Sequence, residues 1–438
     1  REPAHYVDKS GRQCRFPRHK PRVYSLQEPP EDREIAARIH QLAEQLVGVT
    51  HFVKKIEMPE VLRRQGVSEE RYLQGRLSSA TKLARYIVTS SLRSSRAALA
   101  EHLTGSRCAI ADFKIRDFRK SNPTGDVLGK LDDIAGRPPK NGLSIELPEW
   151  LTDAEAHRAM CEHDRAIYAE IHALLFKLGG QRERCKAEHL LKLLDQHDLV
   201  LAFDGRPITL AVIRQGIQEL APKVRVVVAT GDADSERAAA MDLFRLGSTE
   251  KRLIGLCSDS LSEGVNLQQA SALVHLDMPT VVRIAEQRVG RVDRMDSPHA
   301  VIEAWWPDDA PEFALSTDER FIERYETVES LLGSNMPLPE TMQRHGKPVD
   351  PRILIEEYEL QEKKGAWDGI QDAFEPVRSL VQGETALVAG NVYDHYRKIT
   401  ARVMSRVSVV KASSPWAFFC LTGGAFGAPR WVLLPDFT

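Results

Sequence analysis

Between Glu286 and Ser297 the chain reads EQRVGRVDRMDS, with Arg288, Arg291 and Arg294 recurring every third residue and Gln287 beside the first. On a helix of 3.6 residues per turn, side chains three apart drift by only about 60°. The three guanidinium groups would then lie roughly on one face. Arginine stays charged and can donate two parallel hydrogen bonds, which suits an anion with several oxygens, such as a triphosphate. A solvated basic helix paired with the interleaved Glu286, Asp293 and Asp296 would show the same spacing. What separates the two readings lies upstream. CSDSLSEGVNLQQA (257–270) places Ser258, Asp259, Glu263 and Asn266 around Gly264, where a strand should pass into a helix. Such polar groups converge beside a residue that lets another backbone approach closely.

Both stretches need a scaffold that brings them together. Five short apolar runs supply it: DLVLAFD (198–204), KVRVVVAT (223–230), KRLIGLCSD (251–259), SALVHLDMP (271–279) and AVIEAWWP (300–307). Amphipathic segments such as PITLAVIRQGIQEL and DSERAAAMDLFRLG lie between them. Apolar strands alternating with helices predict an α/β domain, a parallel sheet with helices on both faces, over about 183–335. Ligands of such sheets sit at the carboxyl ends of the strands. Those ends carry ATGD with Thr230 and Gly231, the Ser258–Asn266 loop, LDMP and the arginine stretch.

Residues 1–182 read as a mostly helical region. Its first thirty residues are extended and rich in Pro and Arg, and its basic residues between 12 and 22 fit a solvated segment as well as a phosphate contact. Helices are expected from Glu31 to about Gly105. NPTGD, GRPPKNG and LPEW mark a loop or linker at 121–150, and Thr152 is the expected cap of the helix that follows. STDERFIERYETVESLL is expected to close the α/β domain as a helix. Residues 336–438 read as a mixed α+β extension: PVDPRILIEEYELQEKKGAWDGIQDAF as helix, then SRVSVV and PWAFFCLTGGAFGAPRWVLLP as strands about a Gly-rich turn. The sequence stops just after a strand and starts without Met, so it is expected to be a fragment.

The composition is that of a soluble globular protein, with 28% charged and 42% hydrophobic residues and a net charge of −2. That balance does not announce a nucleic-acid binder, although a local basic face can hide within it. Six scattered cysteines without a Cys-x-x-Cys pair argue against zinc and against a disulfide framework, and for a reducing cytoplasm. No metal ligand set is expected, and no apolar run reaches membrane-spanning length.

CSDSLSEGVNLQQASALVHLDMP…EQRVGRVDRMD resembles motifs V and VI of superfamily II helicases and translocases, most of all those of bacterial Swi/Snf-type ATPases. VLAFDG resembles motif IV, and ATGDADSERAAAMDLF the motif after it, so the ordered set spans about 200–297. The flanks are similar to that family's inter-lobe linker and its C-terminal bracing. The resemblance implies a RecA-like second motor lobe acting against a first RecA-like lobe of the same protein. That first lobe would hold most of the ATP and Mg2+. Carried onto this sequence, Arg291, Arg294 and Gln287 would form the catalytic set, with the two arginines as fingers. Arg288, Glu263, Gly264 and Asn266 would sit by the nucleotide. Thr230, Gly231 and Ser258 would hold phosphates of DNA, gripped largely without regard to sequence.

There are departures from the pattern. TVV (280–282) stands where such proteins have an aromatic residue and an Asn-Pro pair. TGDVLGKL has its glycines one residue too close for a phosphate loop, and Leu131 where a magnesium-binding hydroxyl belongs. DAEAH (153–157) lacks the adjacent Asp-Glu of a DExH box and reads as the surface start of a helix. The chain alone is therefore expected not to hydrolyse ATP. Two other readings share the fold: a non-enzymatic nucleic-acid-binding or interaction module, and an RNA helicase lobe. A phosphate loop and DExH box upstream would separate motor from module, and the wording of SEGVNLQ and EQRVGRVDR argues against RNA. Trp305 and Trp306 read as packing, and His275 as a satisfied strand histidine.

Overall fold

A computed structural model of the chain describes residues 5–7, 13–15, 17–64, 66–118, 120, 123–230, 234–259, 267–279, 282–293, 297–315, 318, 322, 338–339, 416–421 and 430–435. The chain divides into two units, 1–325 with 335–344, and 326–334 with 345–438. In the first unit, strands β1 (His5–Val7), β2 (Gln13–Arg15) and β3 (Arg18–Ser25) precede seven helices. These are α1 (Pro30–Ala43), α2 (Glu60–Arg64), α3 (Glu69–Ser94), α4 (Arg96–Asp112), α5 (Val127–Ile134), α6 (Ala154–Leu175) and α7 (Gln181–Leu193). Alternation follows: β4 (Leu199–Asp204), α8 (Pro207–Leu220), β5 (Arg225–Ala229), α9 (Asp234–Phe244), β6 (Leu253–Ser258), β7 (Ala272–His275), α10 (Val282–Val289) and β8 (Val301–Asp308).

Strands β3 to β8 form one sheet in the order β3-β8-β7-β4-β6-β5, and every pair in it is parallel. The apolar runs explain its centre. Side chains alternate across a strand, so a strand covered on both faces must be apolar throughout. In β4, Leu199, Leu201 and Phe203 enter one core with Phe244 of α9 and Val289 of α10. Val200 and Ala202 enter the other, with Leu190 of α7 and Ile213 of α8. At Gly255 of β6 an added Cβ would come within 2.9 Å of the Phe244 ring and 2.8 Å of Leu201, so only glycine lets α9 sit this close.

The edge of the sheet is where sequence and structure part. Residues 18–25, expected in an extended segment outside the α/β domain, are its sixth strand, in register from Arg18 opposite Val301 to Ser25 opposite Asp308. RHKPRVYS has no apolar run because one side of an edge strand meets solvent, and Pro21 is tolerated there for the same reason. Two local expectations also change. The 121–150 stretch contains α5, started by Asp126 in the left-handed region (φ 62°), whose carboxylate accepts from the Gly129 N–H. The cap of α6 is Asp153 rather than Thr152, accepting from the N–H groups of Glu155 and Ala156. DAEAH is therefore the first turn of a capped helix.

In the second unit, β9 (Trp416–Leu421) and β10 (Arg430–Pro435) pair antiparallel, as the two apolar runs about the Gly-rich turn predict. SRVSVV and PVDPRILIEEYELQEKKGAWDGIQDAF lie outside the described residues, as does most of STDERFIERYETVESLL. No helix among the described residues is long and apolar enough to cross a membrane.

Candidate functional site

The carboxyl ends of β4, β6 and β7 lie side by side in the sheet, and a single arginine ties two of them together. Arg288, near the end of α10, is 1% exposed. Its Nε and Nη2 donate to the two oxygens of Asp259, just after β6, at 2.6 and 3.0 Å. Its Nη1 donates to Asp277 Oδ1, just after β7, at 2.8 Å. Burial alone would raise the Asp277 carboxyl, but Arg288 outweighs it and holds the group below the usual carboxylate range. Burial likewise opposes the Arg288 charge, and the two aspartates more than restore it. His275, at the end of β7, has Nδ1 3.4 Å from Arg288 Nη1 and stacks on Trp306 with ring centroids 4.1 Å apart. Burial, then the Arg288 charge, keeps its ring neutral. His275 Nε2 has no hydrogen-bond partner among the described residues, so this strand histidine is satisfied at one nitrogen only. Trp306 is fully buried, as packing requires, and Trp305 stands against His189 of α7.

Arg288, expected beside the nucleotide, has its guanidinium on Asp259 and Asp277. One expectation changes: Arg288 and Arg291 do not share one helix, because α10 ends at Val289. Arg291 sits in the turn beyond Gly290. Its N–H donates to the Arg288 carbonyl at 3.2 Å, and its own carbonyl accepts from the Leu267 N–H at 3.1 Å. That second bond joins the arginine stretch to the end of the 257–270 loop. Asp293 then lies 3.0 Å from His19 Nε2 of β3. Gln287 is half-buried on α10. Arg294, Gly231, Glu263, Gly264 and Asn266 lie outside the described residues.

At the ends of β5 and β6, Ser258 is 3% exposed and donates its hydroxyl to the Thr230 carbonyl at 2.7 Å. This hydroxyl, expected at a nucleic-acid phosphate, here forms a bond between strand ends. Thr230 is half-buried, with Oγ1 3.3 Å from Glu236.

Sequence reasoning missed a third cluster, where the helical region meets the sheet. Asp204, the last residue of β4, is fully buried and accepts from Ser94 Oγ at 2.8 Å and from the Arg206 N–H at 2.8 Å. Burial, then the charge of Asp277, pushes its carboxyl up to about 7. Ser94 and Ser95 both bond the Thr209 hydroxyl at 2.7 Å. Lys186, also fully buried, donates to the Ser94 carbonyl at 2.6 Å. Beside them, Arg93 pairs with Asp309 at 2.9 Å and Asp318 at 3.0 Å, and Arg182 with Asp309 at 2.8 Å and with Glu28. The one local signal was a charged residue ending an otherwise apolar run, LVLAFD.

Residues 185–296 match the family model described as the helicase conserved C-terminal domain. Over 118 residues the chain is 32% identical to the RNA polymerase-associated protein RapA of Serratia proteamaculans (strain 568), which is 26% of this chain and 12% of that protein. Over 131 residues it is 30% identical to RapA of Pseudomonas fluorescens (strain Pf0-1), which is 30% of this chain and 13% of that one. The matches thus span about an eighth of these relatives' length. Among solved structures the chain is similar to the C-terminal part of the Fun30 ATPase domain, at 12% identity, with 80% of this chain and 99% of that one covered and a TM-score of 0.35. It is also similar to Mss116p DEAD-box helicase domain 2 bound to an RNA duplex, at 13% identity, 36% and 61% coverage and a TM-score of 0.28. At such scores the fold rests on the parallel sheet itself. Taken with the ordered strand-end motifs, the family match identifies residues 185–296 as a helicase conserved C-terminal domain.

Proposed function

We propose that the chain is the second motor lobe of an ATP-dependent DNA helicase or translocase, working against a first RecA-like lobe of the same protein. The observation that supports this reading most directly is the Arg288 clamp. By fixing the end of α10 to Asp259 and Asp277, it sets the turn that follows against the strand ends. Arg291 is thereby held at one place, with its carbonyl bound to Leu267. A positive charge fixed in advance stabilises negative charge developing on a transferring phosphoryl group without reorganising as it forms. Arg291 and Arg294 take that role, and Gln287 couples it to the opposite lobe. Glu263, Gly264 and Asn266 border the nucleotide.

Bound ATP supplies the phosphoryl group, and Mg2+ neutralises its charge. This lobe's contribution is guanidinium charge. DNA is gripped at the ends of β5 and β6. With the Ser258 hydroxyl engaged internally, backbone N–H groups near Thr230 and Gly231 become the main donors there, and such contacts carry no sequence information.

The test uses the protein with both lobes and measures DNA-stimulated ATP hydrolysis. Arg291→Ala and Arg294→Ala should each lower kcat on the order of 10³-fold while changing KM far less. Rates within about twofold of wild type would make the arginine stretch structural.

A further inference from the structure

Residues of α3 and of the segments after β4, β6 and β7 line a cavity of about 250 Å³. Its wall carries Arg93, Arg206 and Arg288 against Asp259 and Asp277, with Ser90 and Tyr86 of α3 facing them. Both aspartates are turned onto Arg288, and Asp277 also accepts from the Gly205 N–H at 3.2 Å. The other two arginines are differently placed. Arg93 is 2% exposed, and although its Nε and Nη1 bond Asp309 and Asp318, its Nη2 has no hydrogen-bond partner among the described residues. A buried guanidinium donor without an acceptor is a costly arrangement unless a ligand completes it. Arg206 is half-buried and forms no ion pair among the described residues. Its Nη2 reaches only Ser90 Oγ, at 3.4 Å. Helix α8 starts at Pro207, so its positive amino end adjoins the same wall.

We infer that this cavity binds a phosphate group, with Arg93 Nη2 and the Arg206 guanidinium as its donors. Arg93 comes from the helical region and Arg206 from the segment after β4, so neither donor belongs to the arginine stretch, although Arg288 lines the same wall. A nucleotide and a nucleic-acid strand present the same phosphate oxygens, and both sources rest on the function proposed above.

The test titrates the full chain with inorganic pyrophosphate by calorimetry and with a labelled single-stranded oligonucleotide by fluorescence anisotropy. It compares wild type with Arg206→Gln and Arg93→Lys. The lysine keeps a cation against Asp309 and Asp318 while removing Nη2. Arg206→Gln should weaken the occupying probe about tenfold, as expected for a charge-assisted hydrogen bond. If that probe is the oligonucleotide, the dependence of log affinity on log salt should also fall by about one. Weakening confined to pyrophosphate assigns a nucleotide phosphate, and weakening confined to the oligonucleotide assigns a phosphodiester. The inference is overturned if wild type binds neither probe, or if Arg206→Gln, checked for folding by its unfolding midpoint, binds both as wild type does. Should Arg93→Lys unfold the chain, Arg206→Gln decides alone. ATP hydrolysis that depends on Arg291 would leave the proposed function standing in either case.

Discussion

Arg288 and Arg93 are both nearly inaccessible arginines, each held by two aspartates, yet they are built differently. The partners of Arg288 lie 29 and 11 residues away, at the ends of the two strands that flank β4. The partners of Arg93 lie 216 and 225 residues away, beyond the whole alternating region. The first pair of contacts ties the arginine stretch to the sheet. The second fastens the helical region to that sheet through Asp309, which Arg182 shares. Asp259 and Asp277 also keep 30% and 20% of their side-chain surface, whereas Asp309 keeps 6%. Removing a partner from the deeper pair therefore leaves charge with no route to water.

That comparison ranks the expected effects. Asp309→Ala takes one of two carboxylate partners from each of two buried arginines, Arg93 and Arg182, and should cost about 3–5 kcal/mol in a urea unfolding series. Arg288→Ala leaves carboxylates that water can reach, so about 2–3 kcal/mol is expected by the same measurement. A larger loss at Arg288 than at Asp309 would reverse the ranking.

Protonation sharpens the contrast further. The Asp204 carboxyl is raised to about 7 in the fold, by burial and then Asp277, while an unfolded aspartate titrates near 4. Between those values the folded state holds a proton that the unfolded state has released, so stability falls as pH rises through this window. Asp309 shows the opposite sign. Its burial is outweighed by Arg182 and Arg93, so its contribution is present above about pH 4 and lost as pH falls below it. Asp204→Asn should flatten the decline between about pH 4 and 7 in denaturation midpoints and leave the acid limb in place. An unchanged slope would mean that Asp204 is ionised in the fold. The smallest effect belongs to Ser258→Ala, which removes one neutral hydrogen bond, worth about 0.5–1.5 kcal/mol. Oligonucleotide affinity should stay within about twofold, because the hydroxyl already serves Thr230.

The same difference in separation decides what could be read from the chain. The strands from β4 to β8 were legible because burial on both faces writes itself as unbroken apolar runs. The polar stretches at their carboxyl ends followed from the parallel arrangement. The arginine spacing was legible too, but not the end of α10 at Val289, since the turn is fixed by Leu267 and by a clamp whose acids sit on other strands. β3 was illegible as a sheet member. Its pattern of exposed, charged positions is that of solvated chain, and only Val301–Asp308 gives it a partner. Glu28, Arg93, Arg182 and Asp309 carry no local signature of the junction they form.

The edge strand also bears on how the chain reaches this fold during synthesis. Tyr24, near the end of β3, donates its hydroxyl to the carbonyl of His275, 251 residues later. At a ribosomal pace of about 5–20 residues per second, β3 waits on the order of tens of seconds for the strands it joins. A long apolar segment exposed for that time would invite pairing with other nascent chains. Arg18, Lys20, Arg22 and Pro21 give this one charge and a missing donor instead, a composition suited to remaining in water until the sheet arrives.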